Sequence, residues 1–343
     1  MPVRRHKGVN VARPNDKTRR RLLGGVGVAV TAALVGFAAV DAGDGTAGAD
    51  PRAKLTVMAP AAPGGGWDLA AREAQQALRA ASIVNNVQVV NVPGAGGTIG
   101  LTQFADFDPD PTTLMMTGTV MEGAITVQGS SVNLEDTTPI AKLAEDYEVF
   151  IGPEDSPYET IDDFVEAWQE APSSHAIGGG GLGGTDHLLA GLFAREVGVD
   201  PGEINYVSYP GGGEVLTALL SGTVEIGVSG YNEFSDQIEA GNLRALALSA
   251  EEPVDGIDAP TFIEQGIDVN LPNWRGIVAP AGITTAERDE LVAIIDEMVA
   301  SDEWQDTLRR NSWEPAVVTG DDFVEFIAED QARVDAIIEE LGL

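Results

Sequence analysis

The feature that most constrains this chain is a unit in which a short apolar strand runs into a glycine-rich loop and then into a helix. Its first copy is KLTVMA followed by APAAPGGGWDLAA, residues 54–71. The three glycines 64–66 remove the Cβ atoms that would keep a ligand away from the backbone. Unpaired amides at the helix start, with the positive end of the helix dipole, would face that ligand. The unit predicts an anion-binding loop in which Asp68 caps the helix.

Similar units recur in both halves of the chain without an identical repeat. PGAGG follows a strand at Val87–Val92, GGLGGTDH follows HAIGG, and PGGGE follows INYVSY. A helix is predicted from Ile161 to Glu170, a strand contains Tyr147–Ile151, and NWRGIVAPAG is predicted to cross back to the first unit. Short strands alternating with helical stretches indicate an α/β fold with largely parallel strands. A length of 343 residues is enough for two domains.

The charge of the chain is strongly negative, with 54 acidic and 20 basic residues and a net charge of −34. Such a charge excludes nucleic acid as a natural partner. The acids are spread without one long run, which favours a salt-adapted surface over an acidic patch for cations or basic partners. We therefore expect a halophilic protein that loses structure at low salt. A far-UV circular dichroism spectrum unchanged between molar KCl and dilute buffer would contradict this. Cysteine is absent, so disulfides and thiolate metal sites are excluded.

Residues 1–49 read as a targeting segment. Arg19 and Arg20 precede an apolar run from Val26 to Val40, which resembles a twin-arginine export signal. The run is short for a membrane span. Cleavage is predicted after residues 47–49 (AGA), with VDA at 40–42 as a second site and an uncleaved anchor as the alternative. In each case the remainder is expected to work outside the cytoplasm.

The sequence gives little evidence for catalytic or cofactor-binding motifs. GGGGLG at 178–183 satisfies the dinucleotide fingerprint, but it would explain one glycine loop and leave the others unexplained. The three histidines lack metal-ligand spacing, and no GxSxG elbow is present. We expect no cofactor, no metal and no catalytic residue.

Five polar or aromatic residues keep alternative roles. Asp68 and Asp186 could form an acid–base pair, although helix capping explains both better. His187 either belongs to a helix first turn, with Thr185 as N-cap, or donates to a ligand. Trp67 either walls a pocket or packs. For Arg275 a buried salt bridge is favoured over ligand contact.

Six stretches taken in order resemble the extracytoplasmic substrate-binding proteins of tripartite tricarboxylate transporters, also known as Bug receptors. They are PGGGWD (63–68), PGAGGTIG (93–100), GGGGLGGTDH (178–187), YPGGGEVLTALLSG (209–222), IEAGNLRALALS (238–249) and NWRGIVAPAG (273–282). The resemblance covers residues 54–330. Trp67 departs from it, because a small hydroxyl residue is common there in the family.

The resemblance implies a periplasmic-binding-protein-like (type II) flytrap with two lobes and crossing hinge strands. Lobe 1 would be residues 50–152 plus 276–343, and lobe 2 residues 153–275. Two loops of lobe 1 would grip one carboxylate through backbone amides, and lobe 2 would contact the rest of the ligand. The implied ligand residues are Ala61, Gly64, Gly65, Gly66, Trp67, Asp68, Gly94, Ala95, Gly96, Gly97, Thr117, Thr119, Gly181, Gly183, Gly184, Thr185, His187, Tyr209, Gly211, Gly212, Gly213, Tyr231 and Asn232.

The function implied is a monomeric solute receptor that binds a di- or tricarboxylic acid, or a similar organic anion, and delivers it to a membrane permease without catalysis. With so few basic side chains, a carboxylate must depend on helix-terminus amides and hydroxyls. Two alternatives stay open: an exported enzyme acting on a small organic acid, and a ligand sensor that feeds no transporter.

Overall fold

The computed structural model describes residues 50–343. The predicted export signal and its cleavage sites lie in residues 1–49, outside the described residues. The strands are β1 (Lys54–Ala59), β2 (Asn86–Asn91), β3 (Thr113–Gly118), β4 (Thr137–Pro153), β5 (Ala176–Gly179), β6 (Asn205–Ser208), β7 (Ile226–Gly230), β8 (Leu243–Leu248), β9 (Pro272–Pro280) and β10 (Glu314–Thr319). The helices are α1 (Gly66–Ala80), α2 (Thr98–Ala105), α3 (Thr119–Gln128), α4 (Ile161–Glu170), α5 (Thr185–Glu196), α6 (Gly212–Leu220), α7 (Tyr231–Glu239), α8 (Thr285–Val299), α9 (Asp302–Arg310) and α10 (Gly320–Leu341). None of the helices within residues 50–343 combines the length and the apolar character needed to cross a membrane.

The strands join through β4, which runs for 17 residues and belongs to both halves of the sheet. Its first part pairs with β9 and β10, and its last part pairs with β7 and β8, all antiparallel. Away from β4, strand β1 pairs in parallel with β2 and β3, and β5 pairs in parallel with β6 and β7. The predicted α/β fold and the crossing strand at β9 are confirmed. The expectation of largely parallel strands is wrong, because β4 and β9 run antiparallel to the strands that they join and make the sheet mixed. The strand predicted around Tyr147–Ile151 is much longer, because two sheet halves share it.

The core of the second half shows why its helices form where they do. Ile161, Phe164 and Trp168 are three and four residues apart on α4, so they share one face, and each is fully buried. Thr160 begins the helix with a capping box, in which its side chain and that of Asp163 bond each other's backbone amides. This helix has the predicted bounds.

Helix α10 contacts both halves of the molecule. Near its start, Phe323 packs edge-on against Trp274 of β9, with ring centroids 5.8 Å apart. Near its end, Val334, Ile338 and Leu341 belong to the same buried cluster as α4. The predicted lobe boundaries remain a prediction. They assign α10 to lobe 1, although its last turns belong to the same buried cluster as residues of α4, which they assign to lobe 2.

Candidate ligand cleft

The first glycine loop is held by Asp68, in a way that differs from the predicted helix cap. Helix α1 begins at Gly66 with Gly65 as N-cap, and Asp68 lies in its first turn. The Asp68 carboxylate accepts from the amide of Gly64 at 2.8 Å, from Arg72 at 2.9 Å and from Asn91 at 2.8 Å. Desolvation acts to raise the pKa of Asp68, but these donors outweigh it and the pKa is lowered. Asp68 is thus ionised, and its hydrogen bonds hold the loop in place.

The second loop has a backbone that few residues tolerate. Gly94, Ala95, Gly96 and Gly97 all have positive φ, and Ala95 at 52° is a non-glycine exception. The Ala95 carbonyl accepts from the side chains of Thr98 and Gln128, each at 2.9 Å. These bonds fix the loop at the start of α2.

Trp67 packs between the loops and has little exposed surface. It is 8% exposed, and a Cβ added at Gly97 would lie 2.8 Å from its ring. Its indole nitrogen lies 3.5 Å from the Cβ position of Gly118. Trp67 thus packs between the two loops, and its role as the wall of a ligand pocket stays a prediction.

Thr117 and Thr119 use their hydroxyls inside the protein. Thr117 is fully buried and contacts the sulfur of Met121 at 3.5 Å. The Thr119 hydroxyl accepts from the amide of Trp274 at 3.1 Å and donates to the carbonyl of Pro272. Thr117 therefore joins β3 to α3, and Thr119 joins α3 to β9.

In the second half, the loop before α5 is closed by residues of the helix itself. The amide of Gly180 donates to Asp186 at 2.6 Å, and the amide of Gly183 donates to His187 Nδ1 at 3.1 Å. Burial lowers the pKa of His187, so the ring is neutral at pH 7 and Nε2 carries its proton. Gly184, and not Thr185 as expected, is the N-cap. The buried Thr185 hydroxyl has no hydrogen-bond partner among residues 50–343.

The loop before α6 is occupied by another carboxylate of the protein. The amide of Gly212 donates to Glu233 at 2.7 Å. The ring of Tyr209 lies against Gly178, 3.1 Å from its Cβ position. Of the neighbouring glycines, Gly213 has open space where a side chain would begin.

At the start of α7, the two implied ligand residues Tyr231 and Asn232 both make contacts within the protein. Tyr231 is buried in an apolar cluster with Phe234 and Leu243. Asn232 instead donates to the carbonyl of Asn311, which follows α9. That hydrogen bond links the two halves of the molecule.

Beneath the loops, β4 contributes two acids that the sequence pattern did not single out, Asp146 and Glu148, beside Arg275 of β9, which it did. Arg275 and Asp146 form a buried ion pair, as predicted for the arginine. The guanidinium also lies against the first loop, 2.5 Å from the Cβ position of Gly66. Glu148 is 2% exposed and accepts from Asn273 at 3.0 Å. Acids inside an otherwise apolar strand, as in AEDYEVFI, were the available signal.

The comparisons with known proteins agree on one family. The sequence profile of the tripartite tricarboxylate transporter family receptor matches residues 70–343. Protein BugT of Bordetella pertussis is 28% identical over 331 residues, covering 94% of this chain and 98% of BugT.

Two solved structures share the fold. A TctC solute binding protein from Polaromonas is 26% identical with a TM-score of 0.67, covering 85% of this chain and all of the other. An R. palustris protein solved with adipate is 23% identical with a TM-score of 0.77, covering 85% of this chain and 98% of the other. At these similarities the two-lobed, periplasmic-binding-protein-like architecture is shared.

Proposed function

Because this chain belongs to the tripartite tricarboxylate transporter receptor family, we propose that it captures a small carboxylate between its lobes and delivers it to a membrane permease. Members of this family are solute-binding receptors that work outside the cytoplasm. The proposal adds to this the absence of catalysis, export by the twin-arginine route and partnership with permease subunits. Lobe 1 is taken as 50–152 plus 276–343, and lobe 2 as 153–275.

The observation that carries the proposal is the position of Arg275. Its guanidinium lies against Gly66 at the start of α1, where the helix dipole and first-turn amides also favour an anion. The second loop reaches the same place through the contact of Gly97 with Trp67. One carboxylate of the ligand binds there. The adipate held by the R. palustris relative supports this ligand class.

The test is titration calorimetry of the purified protein with adipate, malate and citrate, together with mass spectrometry of any ligand that co-purifies. We expect saturable binding without turnover. Turnover of the bound acid would instead favour the exported enzyme. Recovery of permease subunits with the receptor in a pull-down supports a transport role over a sensor.

A matched pair of glycine variants locates the carboxylate. Gly66→Ala places a methyl group 2.5 Å from the Arg275 guanidinium and displaces it, so affinity should fall about tenfold, or about 1.4 kcal/mol. Gly202→Ala in an exposed turn, where the nearest atom is 3.3 Å away, is the control. Equal affinities in the two variants would place the carboxylate elsewhere.

A further inference from the structure

Four carboxylates of the protein meet where the second half faces the cleft. Asp146 and Glu148 of β4 both point towards Gly230, at 3.8 and 3.9 Å from its Cβ position. Asp186 enters from α5 and Glu233 from α7. Desolvation is the largest cause that raises the pKa of Glu148, Asp186 and Glu233, and the charge of Asp146 raises all three further. We call these four residues the acidic wall.

Two oxygens of the acidic wall are buried and lack donors. Asp146 is 5% exposed and Glu148 is 2% exposed. Oδ1 of Asp146 and Oε2 of Glu148 have no hydrogen-bond partner in the part of the chain that the structure describes. Leaving a buried acceptor unsatisfied is costly, most of all when it is charged. These oxygens are suited to donors that a ligand brings.

Two of the amides that could have bound a second ligand carboxylate are already used. Asp186 occupies the amide of Gly180 and Glu233 that of Gly212. A carboxylate entering here would meet negative charge in place of free amides. Arg275 is paired with Asp146, and its guanidinium faces the first loop. This side of the cleft therefore favours positive charge.

We propose that the ligand carries a cationic nitrogen besides its carboxylate, and that the acidic wall binds this nitrogen. The inference rests on the proposed function for the carboxylate end of the ligand. An ammonium group has three donors and no acceptor, which matches a set of carboxylate oxygens. Within residues 50–343 no group of His, Cys, Asp or Glu side chains has the arrangement of a metal site, which favours an organic cation over a metal–carboxylate complex.

Two members of the acidic wall are accessible from solvent. Asp186 is half-buried and Glu233 is exposed, whereas Asp146 and Glu148 lie behind them at 5% and 2% exposure. A cationic group of a ligand can therefore reach the wall at Asp186 and Glu233.

The protonation state of the acidic wall should make the affinity for a cationic ligand depend on pH. Burial raises the pKa of Glu148 well above its usual range and that of Asp186 to about 7, so Asp186 changes its charge near neutrality. A cation favours the ionised pair, so its affinity rises from pH 6 to 8. A second carboxylate would need the protonated pair as donor, and its affinity would fall. The charged or titratable groups facing the pair are Asp146, Glu233, Arg275, His187 and Tyr206.

The experiment compares ligands of equal length by calorimetry on the full-length protein. The pairs are 4-aminobutanoate with succinate, 5-aminopentanoate with glutarate, and 6-aminohexanoate with adipate, at pH 6, 7 and 8 with and without EDTA. We expect the amino acid of at least one pair to bind at least about tenfold more tightly than its diacid, more so at pH 8, with EDTA having no effect.

Equal or tighter binding of the diacids would overturn this inference and leave the proposed function standing. Binding that EDTA abolishes would also overturn it, in favour of a metal complex. Binding of no member of either series would contradict the proposed function itself, and the inference with it.

Two variants distinguish a local effect of the acidic wall from the effect of the protein's overall negative charge. Glu233→Gln keeps an acceptor for the Gly212 amide and removes one charge, so the preference for the amino acid should fall about tenfold. Glu239→Gln, at the exposed end of the same helix, should leave the preference unchanged. Equal effects of the two variants would mean that long-range charge, and not the wall, sets the preference.

Discussion

At Asp68 a single carboxylate holds together a glycine loop, a helix start and a neighbouring strand. It is 3% exposed and accepts from Gly64, Arg72 and Asn91. The sequence suggested a simpler cap, worth about 1 kcal/mol. Charged hydrogen bonds from three partners make a larger contribution.

We expect Asp68→Ala to lower the free energy of unfolding by about 2 kcal/mol and to weaken ligand binding. Asp163→Ala is a matched control, because Asp163 also accepts backbone amides but lies on the outer helix α4. The control should lose stability and keep affinity. Chemical denaturation and calorimetry measure the two quantities. Unchanged ligand affinity in Asp68→Ala would contradict the role of Asp68 in holding the first glycine loop.

The contribution of Asp68 to the stability of the protein depends on pH. Its pKa is lowered in the folded protein, so its contribution to stability is present above the unfolded pKa, near 4, and is lost as pH falls through the folded value. Wild type and Asp68→Ala should therefore converge in stability as the pH falls below about 4 on acid titration. A difference that persists unchanged there would contradict this.

At the scale of elements, the second loop depends on glycine where α3 passes beneath it. Gly96 has φ of 58°, and a Cβ there would lie 2.5 Å from that of Ala124. Gly129, at the end of α3, has the same φ with open space around it. The two positions share backbone conformation and differ in their neighbours.

Gly96→Ala should therefore cost more than Gly129→Ala, which bears the strain of positive φ alone, of order 1 kcal/mol. We expect an additional 1–3 kcal/mol at Gly96, about the cost of overpacking. Thermal denaturation of both variants measures the difference. Equal losses would indicate that the loop can move away from α3.

At the scale of the whole molecule, the two halves meet at a hydrogen bond between Asn232 and the carbonyl of Asn311. We expect this bond to favour the closed arrangement of the lobes. Asn232→Ala should weaken ligand binding by about two- to tenfold, the worth of one hydrogen bond, with a small change in melting temperature.

The control is Asn242→Ala, whose side-chain bond to Gln237 is local and exposed. Small-angle scattering with saturating ligand should show a larger radius of gyration for Asn232→Ala than for the control. Identical scattering and affinity would contradict a role in closure.

The sequence by itself determined the local units. Helix α4 and the crossing strand β9 were predicted nearly to the residue, because capping residues, glycines and apolar spacing act within a few positions. The glycine loops were also located correctly. Strand β10 was missed and β4 was predicted too short, since pairing between distant strands leaves a weaker local pattern.

Only the tertiary structure decided what fills each loop. Thr117, Thr119 and Tyr231 have ligand-like chemistry in the sequence, yet packing directs their side chains into the protein. The acidic wall joins Asp146 and Glu148 to residues some 40 and 85 positions away, and its charge depends on desolvation that no local pattern encodes. The sequence specified where backbone amides could bind an anion; the fold decided which of them the protein's own carboxylates occupy.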